Sequence, residues 1–210
     1  KTTFAQNLVL GYDALNDVIR KEWQVPTLFL SLELSGWYLH RRNLQIVSGR
    51  NKEETNEELE YWYEQHEDEL SHMVVQTVAP TIVQIQQKIK ELQPACVVVD
   101  YIDLIETPGI RSEYEQIKAV SHSLRSMAVN EDIIVIQISQ VSRDRSRTQD
   151  IDLFSGKGSG AIENASSKVI GITGTTDSPE KKIEMLKNTD GSLWTTKLKW
   201  TPSFRMRRDI

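Results

Sequence analysis

The sequence is short of the features that mark several common protein classes. A single cysteine, Cys96, occurs among 210 residues, inside an apolar run. There it reads as a small packing residue, not a nucleophile or ligand, and it suits a reducing cytoplasm. No apolar stretch approaches the roughly 20 residues of a membrane span, and the first residues show no secretory pattern. A cytoplasmic location with no membrane partner is therefore expected. Histidine is scarce: of the four present, His66 and His72 have no companion ligands at a useful spacing, which argues against a metal site there. An excess of positive charge is also missing. With 25 Lys+Arg against 30 Asp+Glu the formal net charge is -5, which argues against a nucleic-acid binder that uses its whole surface. The charge is nevertheless uneven, acidic over positions 53–69 and basic at 143–147 and 205–208.

What is present, 39% apolar and 26% charged residues, suits one globular domain with one sizeable core. The chain is organised around residues 95–103, ACVVVDYID. This run of small and β-branched apolar residues after Pro94 predicts a strand buried on both faces, with Asp100 at its carboxyl end. In an open α/β sheet that edge is where ligands bind. Asp100 is open to two readings from the residues: a cap or turn residue, or the carboxylate that holds Mg²⁺ on a nucleotide. Two further apolar strands are expected at 25–32 (VPTLFLSL) and 132–139 (DIIVIQIS), ending in Glu33 and Gln140. Glu33 either sits in a capping segment before a helix or acts as the base that orients and deprotonates an attacking water. Three strand tips thus aim polar groups at one edge.

The chain opens Lys1, Thr2, Thr3, and the spacing of Phe4, Leu8, Leu15, Val18 and Ile19 fits an amphipathic helix. Lys followed by Thr at a first helical turn is how a P-loop ends: Lys reaches the β- and γ-phosphates, and the Thr hydroxyl ligates Mg²⁺. Backbone donors and the helix dipole add to such a phosphate site. The glycine half of that loop is not in the sequence, so we expect a chain cut inside the P-loop before Lys1.

Helices are expected at 35–47, stopped by Gly49; at 55–70, started by a capping box Thr55-x-x-Glu58; at 81–92, stopped by Pro94; and from a second box, Ser112-x-x-Glu115, through Met127. Residues 141–159 lack any apolar period and carry Arg143, Arg145, Arg147 and Lys157. This is either a solvated loop or a segment whose guanidinium groups take nucleic-acid phosphates. Strands at 168–173, 182–187 and 193–200 follow, with Asp190-Gly191 as a hairpin turn. The fold class is α/β, parallel at first and antiparallel at the C-terminal end.

The segments SLEL at 31–34, VVVDYIDL at 97–104, SHSLRSMA at 121–128, ISQVSR at 138–143 and SGAIENAS at 159–166 occur in this order and at these intervals. Together with KTT they make the chain resemble, from Lys1 to about Trp200, the RecA-like ATPase domain of DnaB-type replicative helicases. The resemblance implies one RecA-like P-loop NTPase domain over 1–210, using ATP and Mg²⁺. It implies Lys1, Thr2 and Thr3 at the end of the Walker A loop, Thr2 and Asp100 on the metal, Glu33 as catalytic base and Gln140 as γ-phosphate sensor. The segments after Leu104 and after Arg143 match loops that face single-stranded DNA inside a hexameric ring, and a primase or a loader is an implied partner. The implied activity is ATP-driven translocation and unwinding, with 5′-to-3′ polarity, in DNA replication.

One departure stands out. The family places Lys-x-Arg before the last hairpin, reaching into the neighbouring subunit's ATP site. Here Lys187, Asn188 and Thr189 keep the lysine and lose the arginine. Unless Lys187, Arg205, Arg207 or Arg208 substitutes, hydrolysis in trans should be slow, since such an arginine is worth about 10³ to 10⁵ in turnover. Two alternatives stay open: a RecA-like regulatory or recombination ATPase that binds DNA or protein without unwinding, and a degenerate subunit that does not hydrolyse ATP. The acidic stretch 52–70 departs from the family.

Overall fold

The computed structural model describes residues 1–77, 81–140, 159–175 and 178–208. In chain order its elements begin with helix α1 (Thr2–Val9), the short strands β1 (Tyr12–Asp13) and β2 (Val18–Ile19), β3 (Thr27–Ser31) and helix α2 (Gly36–Ser48). Three short acidic helices follow, α3 (Lys52–Glu57), α4 (Leu59–Gln65) and α5 (Glu67–Leu70), then β4 (Met73–Thr77), α6 (Ile82–Leu92) and β5 (Cys96–Asp100). Helix α7 (Glu113–Asn130), β6 (Ile134–Ile138), α8 (Ser159–Ala165), β7 (Lys168–Thr173), β8 (Glu180–Asn188), β9 (Thr195–Trp200) and β10 (Met206–Arg207) complete the described chain.

The central sheet is parallel, with spatial order β4-β3-β5-β6. Side chains alternate across its faces. Phe29, Cys96 and Val98 join one core with Ala5 and Val9 of α1 and Leu39, Leu44 and Ile46 of α2. Leu28, Leu30, Val97 and Val99 join the other with Ile85 and Ile89 of α6 and Ile117, Val120 and Leu124 of α7. Both faces are covered, so β3 and β5 are buried at every position, as a continuous apolar run requires. The second sheet is antiparallel, in the order β10-β9-β8-β7. The α/β class and its antiparallel finish are as the sequence predicts.

Several local expectations are corrected. Helix α1 ends at Val9, because Gly11 turns with φ +70 and a Cβ there would lie 2.5 Å from the Arg20 carbonyl. Leu15, Val18 and Ile19 therefore belong to the β1–β2 hairpin region, and Leu8, Leu15 and Val18 are exposed. The buried face of α1 is largely polar: Gln6 donates to Asn43 Oδ1 and the Leu39 carbonyl, and Asn7 donates to the Phe204 carbonyl. The capping box belongs to Asn51 and Glu54 instead of Thr55 and Glu58; Thr55 is buried, and its hydroxyl donates to the Asn51 carbonyl. Strand β4, MVVQT, is a strand beyond those expected. Strand β6 is a sheet edge among the described residues, so Ile134 is 59% exposed and only Ile138 is buried, not the whole strand.

Other boundaries match expectation. Helix α2 stops at Gly49, which takes φ +73 as the left-handed cap. Thr81 caps α6 by accepting from the Gln84 amide, and Ser112 caps α7 by accepting from the Glu115 amide.

Candidate active site

Register builds the site. In the parallel ladder Ser31 is level with Asp100, and Asp100 is level with Ile138. Glu33 and Gln140 each lie two residues beyond those partners. They therefore follow the ends of the two strands that flank Asp100, which end level with it and stand roughly 4.8 Å away in a sheet. Parity then decides where Asp100 points. It shares a face with Cys96 and Val98, which pack toward α1 and α2, and so it meets the amino end of α1.

There the Thr2 hydroxyl donates to Asp100 Oδ2 at 2.6 Å. Asp100 is 1% exposed, and the peptide that follows it is cis. The Lys1 ammonium stands 5.2 Å from the Tyr101 ring centroid. Burial pulls the Lys1 pKa down, and the carboxylates of Asp103, Asp100 and Glu33 oppose that shift, in that order. One lysine thus lies within the field of three carboxylates at the sheet edge. Glu33 itself is exposed, free to meet solvent or substrate. Thr3 faces elsewhere: it is buried, and its hydroxyl accepts from Arg42 of α2 at 3.2 Å. Arg42 also reaches Gln6 Oε1 at 3.4 Å, fixing the direction of α1 against α2.

The Thr2 hydroxyl and the Asp100 carboxylate form a hard-oxygen pair of the sort that holds Mg²⁺ together with waters and phosphate oxygens. Among the described residues no group of three or more His, Cys, Asp or Glu could make an all-protein metal cage. Mg²⁺ needs no such cage, so the residues present fit it.

A hydroxyl at a helix start hydrogen-bonded to a buried carboxylate at the tip of a parallel strand is the P-loop arrangement, and residues 1–208 match the family of DnaB-like helicase C terminal domains. The chain belongs to that family.

Over 121 residues this DnaB-like domain is 31% identical to the replicative DNA helicase DnaB of Treponema pallidum, covering 57% of the chain and 26% of that relative. Over 106 residues it is 29% identical to a probable plasmid replicative DNA helicase of Chlamydia muridarum, covering 50% of the chain and 24% of that relative. The matched stretches thus span about a quarter of these relatives' lengths. Among solved structures, an ATPase domain covers the whole chain and 81% of its own, with a TM-score of 0.81 at 20% identity. A DnaB-like replicative helicase solved to show its interactions with primase covers 98% of the chain and 54% of its own, with a TM-score of 0.79 at 20% identity. At these identities the structural likeness concerns the fold, which is RecA-like.

The structure brings Lys1, Thr2, Glu33, Asp100 and Gln140 of this DnaB-like domain to one edge. It does not bring Lys187 there. That residue is on β8 in the second sheet, and its ammonium donates to the Glu163 carbonyl at 2.7 Å. Thr189, at the missing arginine position, is exposed in the turn beyond β8. Arg205 is committed as well: its guanidinium holds the Ile46 and Val47 carbonyls and Asp17. Arg207 pairs with Asp17 at 3.4 Å. Arg143, Arg145, Arg147 and Lys157 lie outside the described residues. Asp103 and Ser139 are residues of this edge that the sequence reading does not single out. Their signal is position alone, three residues past Asp100 and one before Gln140.

Proposed function

We propose that this chain is the ATPase motor domain of a replicative DNA helicase, which hydrolyses ATP to translocate on single-stranded DNA and unwind duplex. The single observation that carries the reading is the Thr2 to Asp100 hydrogen bond at the amino end of α1, with Glu33 and Gln140 following the ends of the two flanking strands. Mg²⁺ held by Thr2 and Asp100 would offset phosphate charge. The Lys1 ammonium binds the β- and γ-phosphates, whose charge replaces the hydration it has lost to burial. Glu33, exposed at the tip of β3, accepts the proton of the attacking water at its carboxylate. Gln140, at the tip of β6, hydrogen-bonds the γ-phosphate and passes its presence into the chain that follows, where Arg143, Arg145, Arg147 and Lys157 take the phosphates of the strand.

The working assembly in this reading is a cytoplasmic ring of six copies with single-stranded DNA in its channel, meeting a primase or a loader. The test is Glu33→Gln in the full-length protein. General-base removal should lower DNA-stimulated turnover by about 10² or more, with ATP binding retained. Undiminished turnover would remove Glu33 from this role.

A second reading, a RecA-like ATPase that binds DNA or protein without unwinding, is favoured by Lys187 and Thr189. The lysine is engaged on its own chain, and the position two residues on, an arginine in the family pattern, holds Thr189. Forked DNA separates the two readings, because a motor releases the displaced strand and a regulatory ATPase hydrolyses ATP without releasing it.

A further inference from the structure

Asp103 is the carboxylate at this edge to which the proposed chemistry gives no task. It lies in the short 3-10 turn Ile102–Leu104, and its Oδ1 accepts from the Ser139 hydroxyl at 3.4 Å. Its Oδ2 is buried with no hydrogen-bond partner. Burial pushes its pKa up, against the Ser139 hydroxyl first and then backbone amides that include that of Gln140. A carboxylate kept partly out of water with one oxygen unpaired lowers stability, and a neutral side chain would sit there at less cost. Such a group calls for a reason beyond packing.

The place it ties explains what it could do. Among the described residues β6 pairs with β5 alone, and the ladder stops at Ile138 opposite Asp100. Past that point the chain has left the sheet, yet Gln140 must stand at a fixed distance from the nucleotide to read it. Among the described residues the Ser139 hydroxyl joins this overhang to Asp103 in the turn after Asp100, and the Gln140 amide acts on the same carboxylate. Immediately beyond Gln140 the sequence enters the basic stretch with Arg143, Arg145 and Arg147.

We infer that Asp103 is a positioning residue of the ATPase site: through Ser139 it anchors the carboxyl end of β6 and sets where Gln140 stands relative to Asp100. What Gln140 does there rests on the proposed function; the anchor itself does not. Asp103 touches no reacting atom in this scheme. Its effect is to make the state of the nucleotide felt at the basic stretch, so its loss should uncouple DNA from hydrolysis rather than stop hydrolysis.

The experiment uses the full-length protein with Asp103→Ala, which removes the acceptor oxygens, Ser139→Ala and the double variant. Hydrogen exchange at the Gln140 amide is read without nucleotide, and ATP turnover is read with and without a thymidine oligonucleotide. Each single variant should speed exchange at Gln140 by about tenfold or more, since a lost tie opens the tip locally. Each should also cut the ratio of DNA-stimulated to basal turnover by about fivefold or more, with the basal KM for ATP held within about twofold. The double variant should be no worse than the Asp103 variant alone, because Ser139 acts only through Asp103. Unchanged exchange overturns the anchor. Changed exchange with an unchanged ratio, or equal loss of basal and stimulated turnover, overturns the positioning role. Wild-type protein without any ATP turnover would sink the proposed function and this role with it, while the exchange measurement would still decide the anchor.

Discussion

Replacing Arg205 should cost the fold far more than its place near the end of the described chain suggests. Helix α2 ends at Ser48 with backbone carbonyls that have no partner inside the helix. The Gln45 carbonyl accepts from the Gly49 amide at 2.9 Å. Ile46 and Val47 depend on Arg205, whose Nε and one terminal nitrogen reach their carbonyls at 2.7 and 2.9 Å. The other terminal nitrogen meets Asp17 Oδ1 at 3.0 Å, and the Arg205 side chain is only 15% exposed. Two bonds from a charged donor to otherwise unpaired carbonyls contribute about 1.5 kcal/mol each, so Arg205→Ala should lose about 3 kcal/mol. The Asp17 ion pair adds little, because Asp17 is about one-third exposed and screened. At about 2 to 4 °C per kcal/mol for a chain of this size, Tm should fall by about 6 to 12 °C. Arg205→Lys, with one point donor instead of a planar fork, should lose roughly half as much. Asp17→Asn should cost under about 1 kcal/mol. Thermal unfolding followed by circular dichroism at low and high salt tests this. A drop that vanishes in salt, or Asp17→Asn costing as much as Arg205→Ala, would show the ion pair to be dominant and the capping argument wrong.

Further expectations are more local. Burial pushes the Cys96 thiol up to about 11, so a thiol reagent at pH 8 should label native protein slowly and unfolded protein fast; comparable rates would place Cys96 outside the core. Asp13 is held at about 2, chiefly by the Asn16 side chain, below the 3.8 of a free carboxyl. Its contribution to stability is therefore present above pH 3.8 and is lost as pH falls toward 2, and Asp13→Asn should flatten the stability curve in that window when urea midpoints are compared. Thr189→Arg restores the side chain missing from the family pattern. In the proposed ring it should raise turnover by about tenfold or more, part of the roughly 10³ to 10⁵ such an arginine supplies; an unchanged rate would mean another group already fills that place.

The parts of the fold legible in the sequence are those where one physical requirement dominates. Strands β3 and β5 are buried on both faces, so their runs are uninterrupted and end abruptly in polar residues at the ligand edge. Helix α2 needs a left-handed residue to stop, and Gly49 supplies it. The illegible parts are those where two requirements compete. Helix α1 buries Gln6 and Asn7 and exposes Leu8, because Asn43 and the Phe204 and Met206 backbone satisfy the polar groups. No apolar periodicity reveals a face chosen that way, and the expected period runs on into a hairpin. The acidic stretch hides its start for a similar reason: Thr55 looks like a cap, but its hydroxyl is engaged inside the helix that Asn51 begins. Arg205 has no signal at all, since its partners lie 158 and 159 residues away.

The same contrast bears on how the three strand tips divide their labour. Strand β3 is paired on both sides, by β4 and β5, and β5 is paired by β3 and β6. Glu33 and Asp100 therefore leave strands that cannot shift without breaking two ladders. Strand β6 has one neighbour among the described residues, and most of its length is half-exposed. If one tip of the three is to change position with the state of the nucleotide, the least costly is the one carrying Gln140. Under the proposed function, the groups that would hold proton and metal geometry sit on doubly paired strands, and the group that would report sits on the edge strand. An edge strand that reports must still have a defined resting place, and the Ser139 hydroxyl on Asp103 gives it one without adding a second ladder.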